Sequence, residues 1–243
     1  MNITHKAERF MGVGCSHGNL IDQNAASAVI KFKNGFKPKR IFHLGDWCDT
    51  AALRGGSKGT SDEGKPINCD IDEGLLFLEA LGVTDCTMGN HDERPWRYLG
   101  SPNAMHRELG QMLVDGIERR MKKLKINWRN SWDVRSWIDY AGYKWMHGYM
   151  FGENASRDHA EAHGNVIFAH THTTAIQKGR RDDCPTGINI GTLCTIGNMD
   201  YAKNRRKTLS WSQGFVWGES YKGKVAYIYL HENGQRPDWN LPF

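Results

Sequence analysis

The residue types able to do chemistry in this chain gather in five short stretches: Cys15-Ser16-His17-Gly18-Asn19, Gly45-Asp46-Trp47-Cys48-Asp49, Gly89-Asn90-His91-Asp92, His147-Gly148 and His170-Thr171-His172. Imidazole mixed with carboxylate and carboxamide oxygen suits first-row divalent metals. One ion takes about four to six donors, and these stretches hold more than that, so two ions bridged by a shared carboxylate is the economical arrangement. Asp46, on a tight glycine turn, is the natural bridge. A single histidine in such a place is more often an ordinary core or surface residue. Five such places together reverse that judgement.

Each stretch follows a predicted strand. Arg9 to Val13, Ile41 to Leu44, Val83 to Met88, Lys144 to Met146 and Val166 to Ala169 read as strands by their short apolar runs. In open α/β sheets ligands bind beyond the carboxyl ends of the strands, so five strand ends make one site. Between them, Asn24 to Phe32 reads as a helix stopped by Asn34-Gly35, Asp46 to Gly64 as a polar glycine-rich loop, and Ile71 to Leu81 as a helix closed by Gly82. Ser101-Pro102 has the pattern of an N-cap with proline at the first helical position. Met105, Leu109, Met112, Ile117, Met121 and Leu124 follow at helical spacing, their methionines expected toward the core. Ile188 to Ile190, Phe215 to Trp217 and Val225 to Leu230 complete the strands, with Gly223 turning the last two into a hairpin. Strand-helix alternation followed by a strand-rich half gives an α/β domain with a mixed sheet or two.

The five stretches, in this order, resemble the motif set of calcineurin-like metallophosphoesterases over roughly Arg9 to Leu193. The resemblance implies a four-layer αββα sandwich of two mixed β-sheets flanked by helices, with 93–143 as a helical insert in one domain spanning 1–243. It also implies two divalent metal ions, manganese, zinc or iron. His17 and His172 would hold the first metal, Asp46 would bridge, and Asn90, His147 and His170 would hold the second. His91 would donate a proton to the phosphate or leaving group, with Asp92 orienting its imidazole. Where the family pattern has a carboxylate, this chain has Cys15. Three readings stay open: a thiolate ligand favouring softer ions, a weakly held first metal, or a degenerate enzyme. Cys48 reads as packing, and Asp49 as a buttress of the metal loop. Gly89 to Arg94 and the tail from Gly187 to Gly218 give the chain the look of small phage or prophage members.

The reaction implied is hydrolysis of a phosphate ester. A diesterase or nuclease acting on nucleotides or nucleic acid stands ahead of a phosphomonoesterase, and a noncatalytic binding module on the same fold is the alternative of another class. Specificity belongs to the insert, where Arg94, Arg97, Arg107 and the run Arg119 to Lys125 interleave with Trp96, Trp128, Trp132 and Trp137; the tryptophans read equally as stacking surfaces for a base or as ordinary core, and the basic run as a phosphate contact or a solvated face. Asn19 and Arg94, beside the motifs, are the candidate substrate contacts. A second basic run spans Lys203 to Lys207. The overall excess of 32 Lys and Arg over 27 Asp and Glu, +5, does not by itself indicate nucleic acid. Six cysteines without a C-x-x-C pair read as reduced thiols. With no apolar span of bilayer length and a polar amino-terminal leader containing His5, the expected location is the cytoplasm, without membrane contact.

Overall fold

The computed structural model describes residues 6–199, 202 and 206–242. Of the second basic run, Lys203, Asn204 and Arg205 lie outside the described residues, as does His5. The order of elements is β1 (Glu8–Val13), α1 (Gln23–Phe36), β2 (Arg40–Leu44), α2 (Ile67–Leu81), β3 (Asp85–Thr87), α3 (Arg94–Leu99), α4 (Ala104–Lys123), β4 (Asn127–Arg129) and β5 (Ile138–Tyr140). There follow β6 (Tyr143–Trp145), α5 (Ala155–His163), β7 (Val166–Phe168), β8 (Thr174–Lys178), β9 (Thr186–Ile190), β10 (Gln213–Tyr221) and β11 (Lys224–Gly234).

One mixed sheet runs β11-β10-β1-β2-β3-β4, the other β5-β6-β7-β9-β8. β1, β2, β3 and β4 are mutually parallel, as are β6, β7 and β9, so the carboxyl ends of the central strands share an edge within each sheet. The sheets face each other across Phe10, Phe42, Leu44, Trp145, Ile167, Ile188, Ile190 and Val216. Phe42 and Trp145 stack across this layer with centroids 4.1 Å apart. Gly12 is required there, because a Cβ would stand 2.6 Å from the Trp145 ring. On the outer face of the first sheet α1, α2 and α4 pack through Val29, Phe32, Leu75, Leu78, Ile117 and Met121. α5 covers the second sheet through Ala155 and Ala160 against Met146, Val166 and Phe168. The molecule is an αββα sandwich of two mixed sheets.

Several element boundaries differ from expectation. α1 runs through Asn34-Gly35 to Phe36 and closes on the left-handed Lys37. Phe36 packs 5.3 Å from Phe32 and 5.2 Å from Trp217, and that burial outweighs the glycine's weak helix propensity. α2 begins four residues earlier, at Ile67. The cap of α4 is Asn103, whose Oδ1 accepts from the amides of Met105 and His106, so Ser101-Pro102 lies before the helix. Leu113, Val114, Ile117 and Met121 define its buried face; Met105 and Met112, expected in the core, are 80% and 72% exposed. β4, β5 and β8 were not expected. No described helix is long and apolar enough to cross a membrane.

Candidate metal centre

The loops at the strand ends are sharply bent. Cys15, His17, Asp46, His170 and His172 all have left-handed backbones, with φ of 50°, 55°, 52°, 62° and 59°. Such conformations cost non-glycine residues about 1–3 kcal/mol each and persist where the surroundings over-determine them. Here the amides of Cys15 and His17 donate to the carbonyls of Gly45 and Asp46 at 3.0 and 2.9 Å, locking the first loop onto the second. The third loop needs glycine for contact: a Cβ on Gly89 would lie 2.1 Å from Asp46 Oδ1.

Among the described residues His17, Asp49 and His91 form one donor group, and two others share Asp46. Of these two, the first is Cys15, His17, Asp46 and His172, all buried; the second is Asp46, His147 and His170. In the first the Nε2 atoms of His17 and His172 face each other at 3.0 Å. In the second, His147 Nε2 lies 3.2 Å from Asp46 Oδ2, 3.1 Å from Asn90 Oδ1 and 3.1 Å from His170 Nδ1. His147 Nδ1 stands 2.7 Å from the Leu44 carbonyl, which can only accept, so Nδ1 carries a proton; burial opposes a charge on the ring, yet the Asp46 carboxylate raises its pKa above the ordinary value.

The electrostatics favour ligands ready to bind. Burial, then the neighbouring His147, lowers His170 to about 3, and burial with His17 takes His172 well below its ordinary value, so both rings are neutral. Burial opposes the charge of Asp46, yet His147, His91 and His17 together hold its carboxyl well below the usual range. The same centre opposes loss of the Cys15 proton: burial, and then Asp46, push its thiol well up. Its Sγ accepts the amide of His170 at 3.3 Å. A bound metal reverses that balance, since a coordinating thiol is deprotonated outright. Neutral imidazoles, a shared carboxylate, a carboxamide oxygen and a sulfur fit divalent cations, and the buried, unpartnered His170 Nε2 and His172 Nδ1 belong to the same tightly packed group.

His91 and its carboxylate partner require a correction. The imidazole's Nδ1 meets Asp49 Oδ1 at 2.6 Å, and its Nε2 stands 3.9 Å from Asp46 Oδ2. Asp49, expected to buttress the loop, is the residue that orients His91. Asp92, expected in that role, instead accepts the backbone amides of Asp46, Cys48 and Gly89 at 2.7, 3.1 and 2.8 Å, tying the second and third loops together. Asp70, which the sequence reading missed, does similar work from α2, accepting from the amides of Asn19, Asp49 and Thr50. Its only sequence signal is a carboxylate beside the apolar face of a helix. Cys48 is buried with its Sγ 3.4 Å from Asp92 Oδ1.

Asn19 is exposed at the first loop. Arg94 is buried, with 8% exposure, and donates to the Asp49 carbonyl. It lines a cleft of about 670 Å³ together with Asn90, Arg54, Arg97, Tyr98, His106 and Trp132. Of the four tryptophans in 93–143, Trp96 and Trp128 pack on the main core and Trp137 on the core beneath α5, which leaves Trp132 at the cleft. The run Arg119 to Lys125 lies elsewhere. From His106, in the cleft, to Arg119 is 13 residues of helix, about 20 Å at 1.5 Å per residue. The chain then enters β4, whose Asn127 pairs with Asp85 at the amino end of β3, opposite the metal centre.

No known family profile matches the sequence. A protein of Mycobacterium phage D29, the Gene 54 protein, is 23% identical over 80% of this chain and 82% of its own length. Among solved structures, a metallophosphoesterase from Sphaerobacter thermophilus is similar over 93% of this chain and 88% of that one, at 15% identity and a TM-score of 0.49. YfcE, a phosphoesterase from E. coli, is similar over 91% and 98% at 14% identity and a TM-score of 0.40. Vacuolar Protein Sorting 29 from Cryptosporidium parvum is similar over 94% and 98%, at 11% and 0.46. These likenesses concern the fold.

Proposed function

We propose that this chain is a calcineurin-like metallophosphoesterase that hydrolyses phosphodiesters of nucleotides at a two-metal centre. The observation that carries the reading is the pair of donor groups sharing Asp46, with His91 held beside them by Asp49. Cys15, His17, Asp46 and His172 would hold one ion, and Asp46, Asn90, His147 and His170 the other. Bound there, two divalent cations supply positive charge against phosphate oxygens and a water acidified enough to serve as nucleophile.

The chain's own residues do the rest. Asp46 stays ionised and so keeps a negative charge between the two donor groups. His147, its Nδ1 fixed on Leu44, keeps Nε2 turned inward. With Nδ1 against Asp49, His91 presents Nε2 to the centre, where it can hydrogen-bond a phosphoryl oxygen or give a proton to the leaving oxygen. Asp49 stabilises the positive charge His91 carries as the donor, and it stays ionised because His91 and His17 outweigh its burial. The cleft beyond Asn90 gives a leaving group room and positive surroundings, which supports a diester over a monoester.

Chelator-stripped protein reloaded separately with manganese, zinc or iron would be assayed on bis(p-nitrophenyl) phosphate and on p-nitrophenyl phosphate. The expected result is metal-dependent turnover with the diester preferred. Preference for the monoester would overturn the diesterase reading, and no turnover with any metal would overturn the enzyme.

A further inference from the structure

The cleft beside Asn90 offers more than room and positive surroundings for a leaving group. Arg94 forms its inner wall as a buried guanidinium that donates to the carbonyl of Asp49 and has no carboxylate within ion-pair distance among the described residues. Arg97 and Arg54, by contrast, are paired with Glu93 and Asp62. A cation nine-tenths withdrawn from water without a counter-charge is costly unless an anion completes it. Around it stand flat surfaces. Tyr98 and His106 lie 5.0 Å apart with their rings 35° from parallel. Trp132 is pinned by its indole N–H to the carbonyl of Gly148, next to the metal-group histidine His147, and lies 6.2 Å from the ring of His170. The cleft volume of about 670 Å³ falls within the range of small-ligand sites.

We infer that this cleft is a nucleotide subsite, in which Arg94 takes a phosphate adjoining the metal centre and the base stacks on the aromatic wall of Trp132 and Tyr98. The inference rests on the phosphodiesterase reading and specifies its substrate as a single nucleotide unit. Aromatic walls accept any base, because every base has a flat π face. Arg94 discriminates by charge, holding the phosphate within reach of Asn90 and His91.

The test is calorimetric binding of adenosine 5′-monophosphate and ribose 5-phosphate to manganese-loaded protein, with bis(p-nitrophenyl) phosphate turnover measured on the same samples. The nucleotide should bind at least tenfold more tightly than the sugar phosphate. Trp132→Ala and Tyr98→Ala should each reduce that ratio to below threefold while leaving ribose 5-phosphate affinity within twofold. Trp132→Phe, which keeps a flat ring, guards against misfolding and should retain most of the preference. Equal binding of the two ligands by a sample that turns over the diester would overturn the subsite and leave the enzyme reading standing. Preferential nucleotide binding without diester turnover would do the reverse. A preference unaffected by both alanine variants would place the base elsewhere and overturn the assignment.

Discussion

Asp49 and Asp92 are two buried carboxylates with different work, and substitution should separate them. Asp49→Asn removes the charge that orients and stabilises the His91 imidazole. It is expected to lower diester turnover by about 10–100-fold with bound metal unchanged, as read by kinetics beside metal analysis. Asp92→Asn weakens the acceptor for three backbone amides, so it should instead lower the unfolding free energy by about 1–3 kcal/mol in a denaturant titration. If Asp92→Asn were the one that spared stability and abolished turnover, the exchange of roles would be wrong. Cys15 has its own test. Cys15→Ala should reduce occupancy of the first site, and Cys15→Asp should shift the metal that best supports activity from softer ions toward manganese; unchanged stoichiometry and metal preference in both would remove Cys15 from the ligand set. The residues of this centre were legible because they sit in short motifs at strand ends. The partner of His91 was not: Asp92 is its neighbour in sequence, whereas the imidazole turns to a carboxylate 42 positions away, and only the fold of the second loop brings that contact about.

Among the elements, α5 secures the loop that follows His147. Its His159 is buried, gives Nδ1–H to Ala155 O, and accepts the amides of Tyr149 and Met150 on Nε2 at 3.1 and 3.3 Å. The same loop carries Phe151, whose ring lies 4.8 Å from His170. Burial lowers His159 to about 4, from an ordinary value of 6.5. Between those values the unfolded chain holds the proton and the folded chain does not, so stability rises with pH across this window and is lost as pH falls from 6.5 toward 4. His159→Gln should flatten the dependence of unfolding free energy on pH in that interval; His43, lowered to about 3, persists in the variant, so the difference between the two curves isolates His159. Identical slopes would contradict the assignment. Helices α1, α2 and α4 could be read from apolar spacing and most strands from apolar runs, but α5 (Ala155–His163), β4 (Asn-Trp-Arg), β5 (Ile-Asp-Tyr) and β8 (Thr-Ala-Ile-Gln-Lys) mix in too many polar residues for such a run to mark them. Met105 and Met112 fit a helical stripe by spacing, yet they project from the side of α4 that the core does not reach.

Across the whole molecule, two sheets pressed face to face hold the strand ends in register, and Trp145 is the largest side chain between them. Trp145→Ala should cost about 3–5 kcal/mol, seen as a lower denaturation midpoint, because the cavity lies where both sheets meet. Charge is distributed with the same logic. The basic end of α4 lies at the edge opposite the metal centre, so Lys122→Glu with Lys123→Glu should leave kcat/KM for a small diester within twofold at physiological salt, where the Debye length is about 8 Å. A tenfold loss would mean that this surface reaches the substrate. The central claim is a pair of cation sites that share Asp46, and metal counting tests it most directly. Protein reloaded with manganese and freed of excess by gel filtration would be measured for metal per chain by atomic emission, in the wild type and in Asp46→Asn. The account expects two ions per chain in the wild type and loss of more than one in the variant; one ion or none in the wild type, or two retained without the Asp46 carboxylate, would contradict it.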